Sequence, residues 1–259
     1  SITDAAGNDT TANSSGNVDT ITPVITVDAL GLGNDSTPVI SGTSTEPEGT
    51  VVNIVITDSN GDETPITATV DANGNWQATS PELPEGSYSV QASITDAAGN
   101  TDSAVQSGTI DSLAPTLVLD TVGATNDSTP TISGSTNAPA GTVISISVSD
   151  GTTTQTFTAT VQADGSWSAD VPNALTDGPL TIEASVEDVA GNTTTLSETA
   201  TLNTTAPSIS INTLVDTNDT TPTINGTSDG ADDTIISLTF EDSTGNITTV
   251  DTTVTGGVW

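Results

Sequence analysis

Asp96-Ala97-Ala98-Gly99-Asn100 occurs again, with one substitution, at residues 188–192 and without change at residues 4–8, each time 92 residues apart. A second run, residues 34–38, recurs at 126–130 and 218–222 with the same step of 92. A solenoid repeat is shorter, up to roughly 50 residues, whereas a small domain begins at about 50 residues. The chain is therefore predicted to consist of small domains in tandem, one to each repeat.

The repeat step places the domain boundaries. Residues 1–21 match 93–113 and are interpreted as the tail of a preceding repeat, whereas 22–113 and 114–205 are complete repeats. Residues 206–259 begin a further repeat and stop at its Trp. The chain has no Met, so we expect an internal piece of a longer protein. Both linkers, 111–115 and 203–207, end in Pro, which fixes φ and stiffens the junction.

Within each repeat, short β-branched runs alternate with Gly, Pro, Asn and Asp, and no segment has a helical period. This pattern is typical of a β-sandwich. Seven strands and an immunoglobulin-like sandwich are predicted for residues 114–205, and an extended rod for the tandem array. Trp76 and Trp167 are predicted to anchor the core. The predicted strands are 116–120, 129–136, 142–150, 153–161, 166–171, 180–187 and 194–202.

The charge is one-sided, with 34 acidic residues and no Lys, Arg, His or Cys. Nucleic acid and anionic membranes are excluded as electrostatic partners, because both need basic patches. No apolar run is long enough to insert directly in a membrane. Without His and Cys, only oxygen ligands remain, and these suit calcium or magnesium. A catalytic function is not expected, because the His base, Cys nucleophile, Lys amine and Arg clamp are all missing.

The recurring Asp-x-x-Gly-Asn run lies between the sixth and seventh predicted strands, at the end of the domain near the incoming linker. An acid or amide also stands four residues before each linker Pro, at Asp19, Asp111 and Asn203. These groups could hold calcium between two domains, or the run could simply be a hairpin turn. The candidate calcium ligands are Asp19, Asp96 and Asn100 at one junction, and Asp111, Asp188 and Asn192 at the next.

Three further acidic runs are interpreted as structural. Residues 34–38 are expected to form an Asx or Ser/Thr turn. Residues 58–62 and 71–75 have the ligand spacing with which an EF-hand begins, but both lack its Gly at position six and its flanking helices, so we predict hairpin turns there.

The motifs resemble the bacterial immunoglobulin-like repeats of giant surface adhesins, including biofilm-associated and RTX-type adhesins of Gram-negative bacteria. The resemblance rests on Asp-Ala-Ala-Gly-Asn, Ala-Pro-Thr, Asn-Asp-Ser-Thr-Pro-Thr-Ile-Ser-Gly and Asp-Gly-Ser-Trp. It implies a stalk at the bacterial cell surface, calcium at the domain junctions and type I secretion. The ligands it implies are Asp96, Asn100, Asp111, Asp188 and Asn192.

Three functions are compatible with the sequence. The first is a stalk or extender in an adhesin that supports cell adhesion and biofilm formation, with neighbouring repeats of the same chain as its partners. The second is a repeat module that binds glycan or another surface. The third is a self-assembling filament or sheath, in which other copies of the chain are the partners and exposed sandwich edges pair. Thr is spread over many strands and loops, which favours the extender over a flat binding array.

Overall fold

The computed structural model describes all 259 residues and contains only β-strands. In the N-terminal tail, β1 (Ile2–Thr3) and β2 (Asp9–Thr10) form a small hairpin. No helix in the structure is long and apolar enough to cross a membrane. The strands of the first complete repeat are β3 (Leu32–Gly33), β4 (Val39–Thr43), β5 (Val51–Thr57), β6 (Glu63–Thr69), β7 (Asn75–Thr79), β8 (Gly86–Thr95) and β9 (Thr101–Ile110).

The second complete repeat follows the same plan. Its strands are β10 (Leu117–Leu119), β11 (Ala124–Thr125), β12 (Thr131–Thr136), β13 (Val143–Ser149), β14 (Thr154–Thr160), β15 (Ser166–Asp170), β16 (Gly178–Glu187) and β17 (Thr193–Leu202). All seven predicted strands are present. The eighth, β11, was not predicted, because two residues are too few to show a period.

Each complete repeat is built from two sheets. The larger sheet has five strands, in the order β3-β9-β8-β5-β6 in the first repeat and β11-β17-β16-β13-β14 in the second. The smaller sheet is β4-β7 in the first repeat and β10-β12-β15 in the second. Neighbouring strands are antiparallel except for β3 with β9 and β11 with β17, which run parallel. The prediction of an all-β architecture is confirmed.

The core lies between the two sheets of each repeat, as a cluster of 15 buried residues in the first and 18 in the second. Trp76 and Trp167 are only 2% and 1% exposed, which confirms their predicted place in the core. In β13, Ile144, Ile146 and Val148 are buried, whereas the intervening positions are exposed or half-buried. Apolar and hydroxyl side chains thus alternate, and a chain with little hydrophobic content can still enclose a core.

Each Trp packs against a Gly of the smaller sheet. A Cβ built on Gly134 would lie 1.9 Å from the carbonyl oxygen of Val118 and 2.5 Å from Cζ2 of Trp167. The corresponding distances at Gly42 are 1.9 Å to the carbonyl oxygen of Thr26 and 2.7 Å to Cζ2 of Trp76. Neither backbone oxygen can move away cheaply, so only Gly fits beside the ring.

Residues 206–259 form two small sheets of two strands each. β18 (Ile209–Ile211) pairs with β19 (Gly226–Ser228), and β20 (Ile235–Glu241) pairs with β21 (Ile247–Thr253). Few side chains are buried here, and Ile235 is 66% exposed.

Candidate junction site

The loop 188–192 joins β16 to β17 and is closed by its own side chains. Asp188 Oδ1 accepts hydrogen bonds from the backbone N–H groups of Ala190 and Asn192, both at 2.9 Å. The N–H of Asp188 donates in turn to the carbonyl oxygen of Asn192 at 3.0 Å. Gly191 has φ +93°, a left-handed conformation that Gly adopts without strain. These bonds make the run a complete hairpin turn.

The same turn occurs away from the junctions. In the loop between β20 and β21, Asp242 Oδ1 accepts from the N–H of Asn246 at 3.0 Å, and Asn246 Nδ2 donates to Asp242 Oδ2 at 2.9 Å. This copy makes no hydrogen bond to a linker. The turn interpretation therefore explains how the motif folds wherever it occurs. The copies at the junctions are distinguished by a further contact.

That further contact ties the turn to the incoming linker. Asn192 Nδ2 donates to the carbonyl oxygen of Asp111 at 2.7 Å and to Asp188 Oδ2 at 2.9 Å. Asn100 Nδ2 likewise donates to the carbonyl oxygen of Asp19 at 3.2 Å and to Asp96 Oδ2 at 2.7 Å. The structure thus brings together the residues that the sequence paired at each junction. We call these two groups, Asp19 with Asp96 and Asn100, and Asp111 with Asp188 and Asn192, the junction sites.

The acid before the linker was predicted to contribute through its side chain, whereas in the structure its backbone carbonyl makes the contact with the turn. Asp111 Oδ1 accepts only a 3.4 Å hydrogen bond from the N–H of Leu113. Three or more acidic side chains do not gather at any point of the chain. The oxygens at the second junction site are two carboxylates, one carbonyl and one amide, which are the donor types that calcium takes. The junction residues therefore offer the types of oxygen ligand that calcium binds.

Hydrogen bonding keeps the turn carboxylates ionised. The side-chain amide of Asn192 lowers the pKa of Asp188 below its ordinary value of 3.8, and the backbone N–H groups of the turn add to this effect. Asn100 lowers the pKa of Asp96 in the same way. Each junction site thus keeps a negative charge beside a linker carbonyl.

Asn34 is a junction residue that the sequence analysis missed. Strands β3 and β9 run parallel, with Gly33 opposite Ile110, so the residues that follow them, Asn34 and Asp111, lie at the same end of the domain. A Cβ built on Gly191 would lie 3.5 Å from Asn34 Nδ2, which places the hairpin of the second repeat against Asn34 of the first. The prediction of a turn in this run is confirmed, since Asp35 Oδ1 accepts from the N–H of Thr37 at 2.8 Å. Because a turn fully accounts for residues 34–38, no separate signal in the sequence pointed to Asn34 as a junction residue.

An acidic residue also holds the linker to the domain that it leaves. Glu85 Oε1 accepts from the N–H of Ser112 at 2.9 Å, and Asp177 Oδ1 accepts from the N–H of Thr204 at 2.9 Å. The Thr204 N–H is also the main cause of the lowered pKa of Asp177. Glu85 and Asp177 are 92 residues apart, and this spacing is the signal that could have revealed them.

The remaining acidic runs are turns, as predicted. Asp58 Oδ1 accepts from the N–H groups of Asn60 and Asp62 at 2.8 and 3.0 Å. Asp71 Oδ1 accepts from Asn73 and Asn75 at 2.8 and 2.9 Å. Asn203 occupies the position in the second linker that Asp111 occupies in the first. Its Oδ1 accepts a hydrogen bond from the N–H of Thr205 at 3.1 Å.

The family model of the bacterial Ig-like domain matches residues 26–112 and 116–205. These two matches cover more than half of the chain, and the chain belongs to this family. The predicted immunoglobulin-like fold and the resemblance to bacterial immunoglobulin-like repeats are both confirmed. The segment is accordingly a structural one and not an enzyme.

Several solved structures are similar to the chain. A tetra-tandem repeat from the extending region of a large adhesion protein is 34% identical over 92% of this chain and 64% of that chain, with a TM-score of 0.36. A Ca²⁺-stabilized adhesin that helps an Antarctic bacterium reach out and bind ice is 26% identical over 99% and 70%, with a TM-score of 0.42. A structure from a 1.5-MDa bacterial ice-binding adhesin is 19% identical over 94% and 87%, with a TM-score of 0.38. No curated protein matches the chain.

Proposed function

We propose that this segment is a stalk of tandem spacers in a large, secreted adhesin at the bacterial cell surface. The observation that carries the proposal is the hydrogen bond from the hairpin of one repeat to the linker before it, made by Asn192 to Asp111 and again by Asn100 to Asp19. A contact copied with the repeat means that each added domain brings its own fixed junction. Length then grows by repetition, and stability stays local to each repeat and its neighbour.

The linker between the two complete repeats is held at both ends. Ser112 is bonded to Glu85 of the repeat that the linker leaves, at 2.9 Å. The repeat that the linker enters holds both of its ends, since Thr194 Oγ1 donates to the carbonyl oxygen of Pro115 at 2.6 Å and Asn192 Nδ2 donates to that of Asp111. Five residues with a Pro and three tethers have little freedom. This supports a rod with a set angle, in which each repeat adds about 40 Å by the size scaling of small domains.

Calcium is the second element of the proposal. With 34 acidic residues and no basic side chain, the chain has no internal counter-ion, and its junction oxygens suit a hard cation. Asp188, Asp111 and Asn192 are the residues that would hold it at the second junction, and Asp96, Asp19 and Asn100 at the first. A bound cation would supply the positive charge that this chain lacks. Support for cell adhesion, biofilm formation and type I secretion comes from the resemblance to adhesin repeats.

Small-angle X-ray scattering and thermal unfolding of the 259-residue chain, with calcium and then with chelator, test both elements. We expect a long, stiff particle with calcium, and a more flexible and less stable one after chelation. The Asp188→Asn variant should then respond less to calcium than the wild type. A stiff rod that chelator does not change would refute the proposed calcium sites but would leave the stalk proposal intact. A flexible particle under both conditions would refute the stalk.

Surface binding is a second candidate function, favoured by one observation. On the outer face of the larger sheet in the second repeat, three rows across β14, β13, β16 and β17 present Ser or Thr at every position except Glu183. Part of this face forms a shallow depression of about 330 Å³. Thr is spread over many strands and loops of the chain, but in this repeat Ser and Thr together cover one sheet face. Because sheets twist, the face suits a flexible glycan better than a flat crystal surface, and a glycan array with Glu183→Gln as the comparison tests it.

A further inference from the structure

The free edge of the larger sheet in the second repeat is β14, which pairs only with β13. Beyond its two ends, the N–H of Asp150 donates to the carbonyl oxygen of Thr153 and the N–H of Val161 to that of Thr142. Hydrogen-bonded and non-bonded pairs alternate along an antiparallel ladder. The residues of β14 that bond to β13 are therefore Gln155, Phe157 and Ala159, and those whose N–H and C=O groups point outward are Thr154, Thr156, Thr158 and Thr160.

These outward backbone groups are largely unsatisfied within the chain. No turn, loop or side-chain hydrogen bond involves the N–H or C=O of Thr154, Thr156 or Thr158. At the end of the strand, the carbonyl oxygen of Thr160 accepts from Gln162 Nε2 at 2.9 Å. Such a row of unpaired donors and acceptors is a template for pairing with another strand.

The equivalent edges of the other repeats are protected. The same alternation along β6 makes Glu63, Pro65, Thr67 and Thr69 the outward residues. Pro has no N–H to offer, and a carboxylate repels a second acidic chain; both are ways in which natural sheets protect an edge. In β21 an outward position is taken by Asp251. Only Thr occupies the outward positions of β14, and the whole strand is uncharged.

We infer that β14 is a docking edge for the β14 strand of a second copy of this chain. The two strands pair antiparallel about a two-fold axis at Phe157, which joins the two five-stranded sheets into one. Thr156 of each copy then exchanges backbone hydrogen bonds with Thr158 of the other, and Thr154 lies opposite Thr160. The half-buried Phe157 ring, which already packs on the core, meets its counterpart in the other copy.

Two features select a second copy as the occupant. The outward Thr residues are symmetric about Phe157, so the two-fold pairing places Thr opposite Thr at every outward position, a favourable cross-strand pair. The strand also carries no charge in a chain of net charge −34, so it is a place where two copies approach without opposed carboxylates at the contact. The remaining charge repels over distance, and association is therefore expected to strengthen as salt screens it.

Sedimentation equilibrium of the 259-residue chain in about 1 M NaCl, where the Debye length is about 3 Å, tests the inference. The wild type should form a dimer. The double variant Thr154→Glu/Thr156→Pro copies the residues of the first repeat and should weaken dimerisation at least about ten-fold, because it removes a backbone donor and places a carboxylate in the strand contact. Both residues are accommodated at these positions in β6, so the fold should persist. Circular dichroism shows whether the double variant is folded. If it is not, the single variant Thr158→Glu is tested in its place.

The reciprocal variant is the matched control. Glu63→Thr/Pro65→Thr removes the protection from β6 and should produce species larger than the dimer. Three results would overturn the inference: a wild type that is monomeric at all concentrations in high salt, folded Glu variants of β14 that dimerise as the wild type does, or a reciprocal variant that gains no association. None of them bears on the stalk, which scattering from single chains tests separately.

Discussion

The two complete repeats share their core and their linker contacts but differ in the hairpin that ends at the free edge of the larger sheet. Both bury one Trp against one Gly, and both hold the outgoing linker with an acid. At the edge, however, Glu63 and Pro65 of the first repeat are replaced by Thr154 and Thr156 of the second. Features that every copy needs in order to fold and to join its neighbour are kept, whereas the free edge, which takes part in neither, differs between the two repeats.

The loop at the head of this hairpin differs as well. Asp58 in the first repeat bonds only within its own turn. Asp150 in the second bonds to its turn through Oδ1, at 2.8 Å from the N–H of Thr153, and reaches the loop between β15 and β16 through Oδ2, at 3.0 Å from the N–H of Thr176. One acidic residue thus closes a local turn in one copy and joins two loops in the other.

The shared core gives the largest expected effect. Gly134→Ala and Gly42→Ala each force a Cβ against a backbone oxygen and a Trp ring, and each should destabilise its own repeat by about 3 kcal/mol. Calorimetry should show one unfolding transition lowered and the other unchanged, with the identity of the lowered transition exchanged between the two variants. An equal shift of both transitions would mean that the repeats do not unfold as separate units.

The loop difference predicts an unequal pair of effects. Asp150→Asn removes the charge that draws four hydrogen-bond donors, one of them in another loop, whereas Asp58→Asn affects a single turn. The midpoint of thermal unfolding should fall more for the second repeat in Asp150→Asn than for the first repeat in Asp58→Asn. Equal shifts would show that the bond to Thr176 adds nothing.

A smaller effect is expected at the junction. Asn192→Ala removes the amide that bridges Asp188 and Asp111, and it should weaken the coupling between the two complete repeats by about 1 kcal/mol, the net value of a hydrogen bond. Unfolding of the two repeats should become more independent, and scattering should report a wider range of interdomain angles. Asn100→Ala is the control, because it breaks the same turn where only a short tail precedes it. If both variants behave alike, the turn matters and the bridge does not.

The smallest effect concerns pH and the hold on the outgoing linker. The lowered pKa of Asp177 means that its ionised form stabilises the folded state above the ordinary value of 3.8, and that this contribution is lost as the pH falls through the lower folded value. Asp177→Asn should therefore melt below the wild type at neutral pH, and the difference should shrink as the pH falls below about 4. A difference that stays constant down to pH 2 would assign the effect to lost packing rather than to charge.

Much of the fold could be predicted because its signals are local and periodic. The repeat step, the alternation of apolar and hydroxyl residues and the single Trp per repeat set the strands and the core. The pairing of Asp111 with the hairpin 188–192 was also predicted, since a sandwich places that hairpin beside the incoming linker. The contact of the turn with the backbone carbonyl of Asp111 was not predicted, because a carbonyl oxygen leaves no mark in a sequence. Asn34 was missed because its neighbour Asp35 already explained the run.

The sequence alone therefore determined that this protein is a tandem of small all-β domains with acidic turns at their junctions, because repetition and composition are properties of the chain itself. Only the tertiary structure decided which groups meet. The amide of Asn192 on the carbonyl of Asp111, the hold of Glu85 and Asp177 on the linkers, and the outward face of Thr154, Thr156 and Thr158 all depend on strand register. Register fixes which backbone groups are already paired and which remain free, and it is set by pairing across the sheet rather than by any local run of residues.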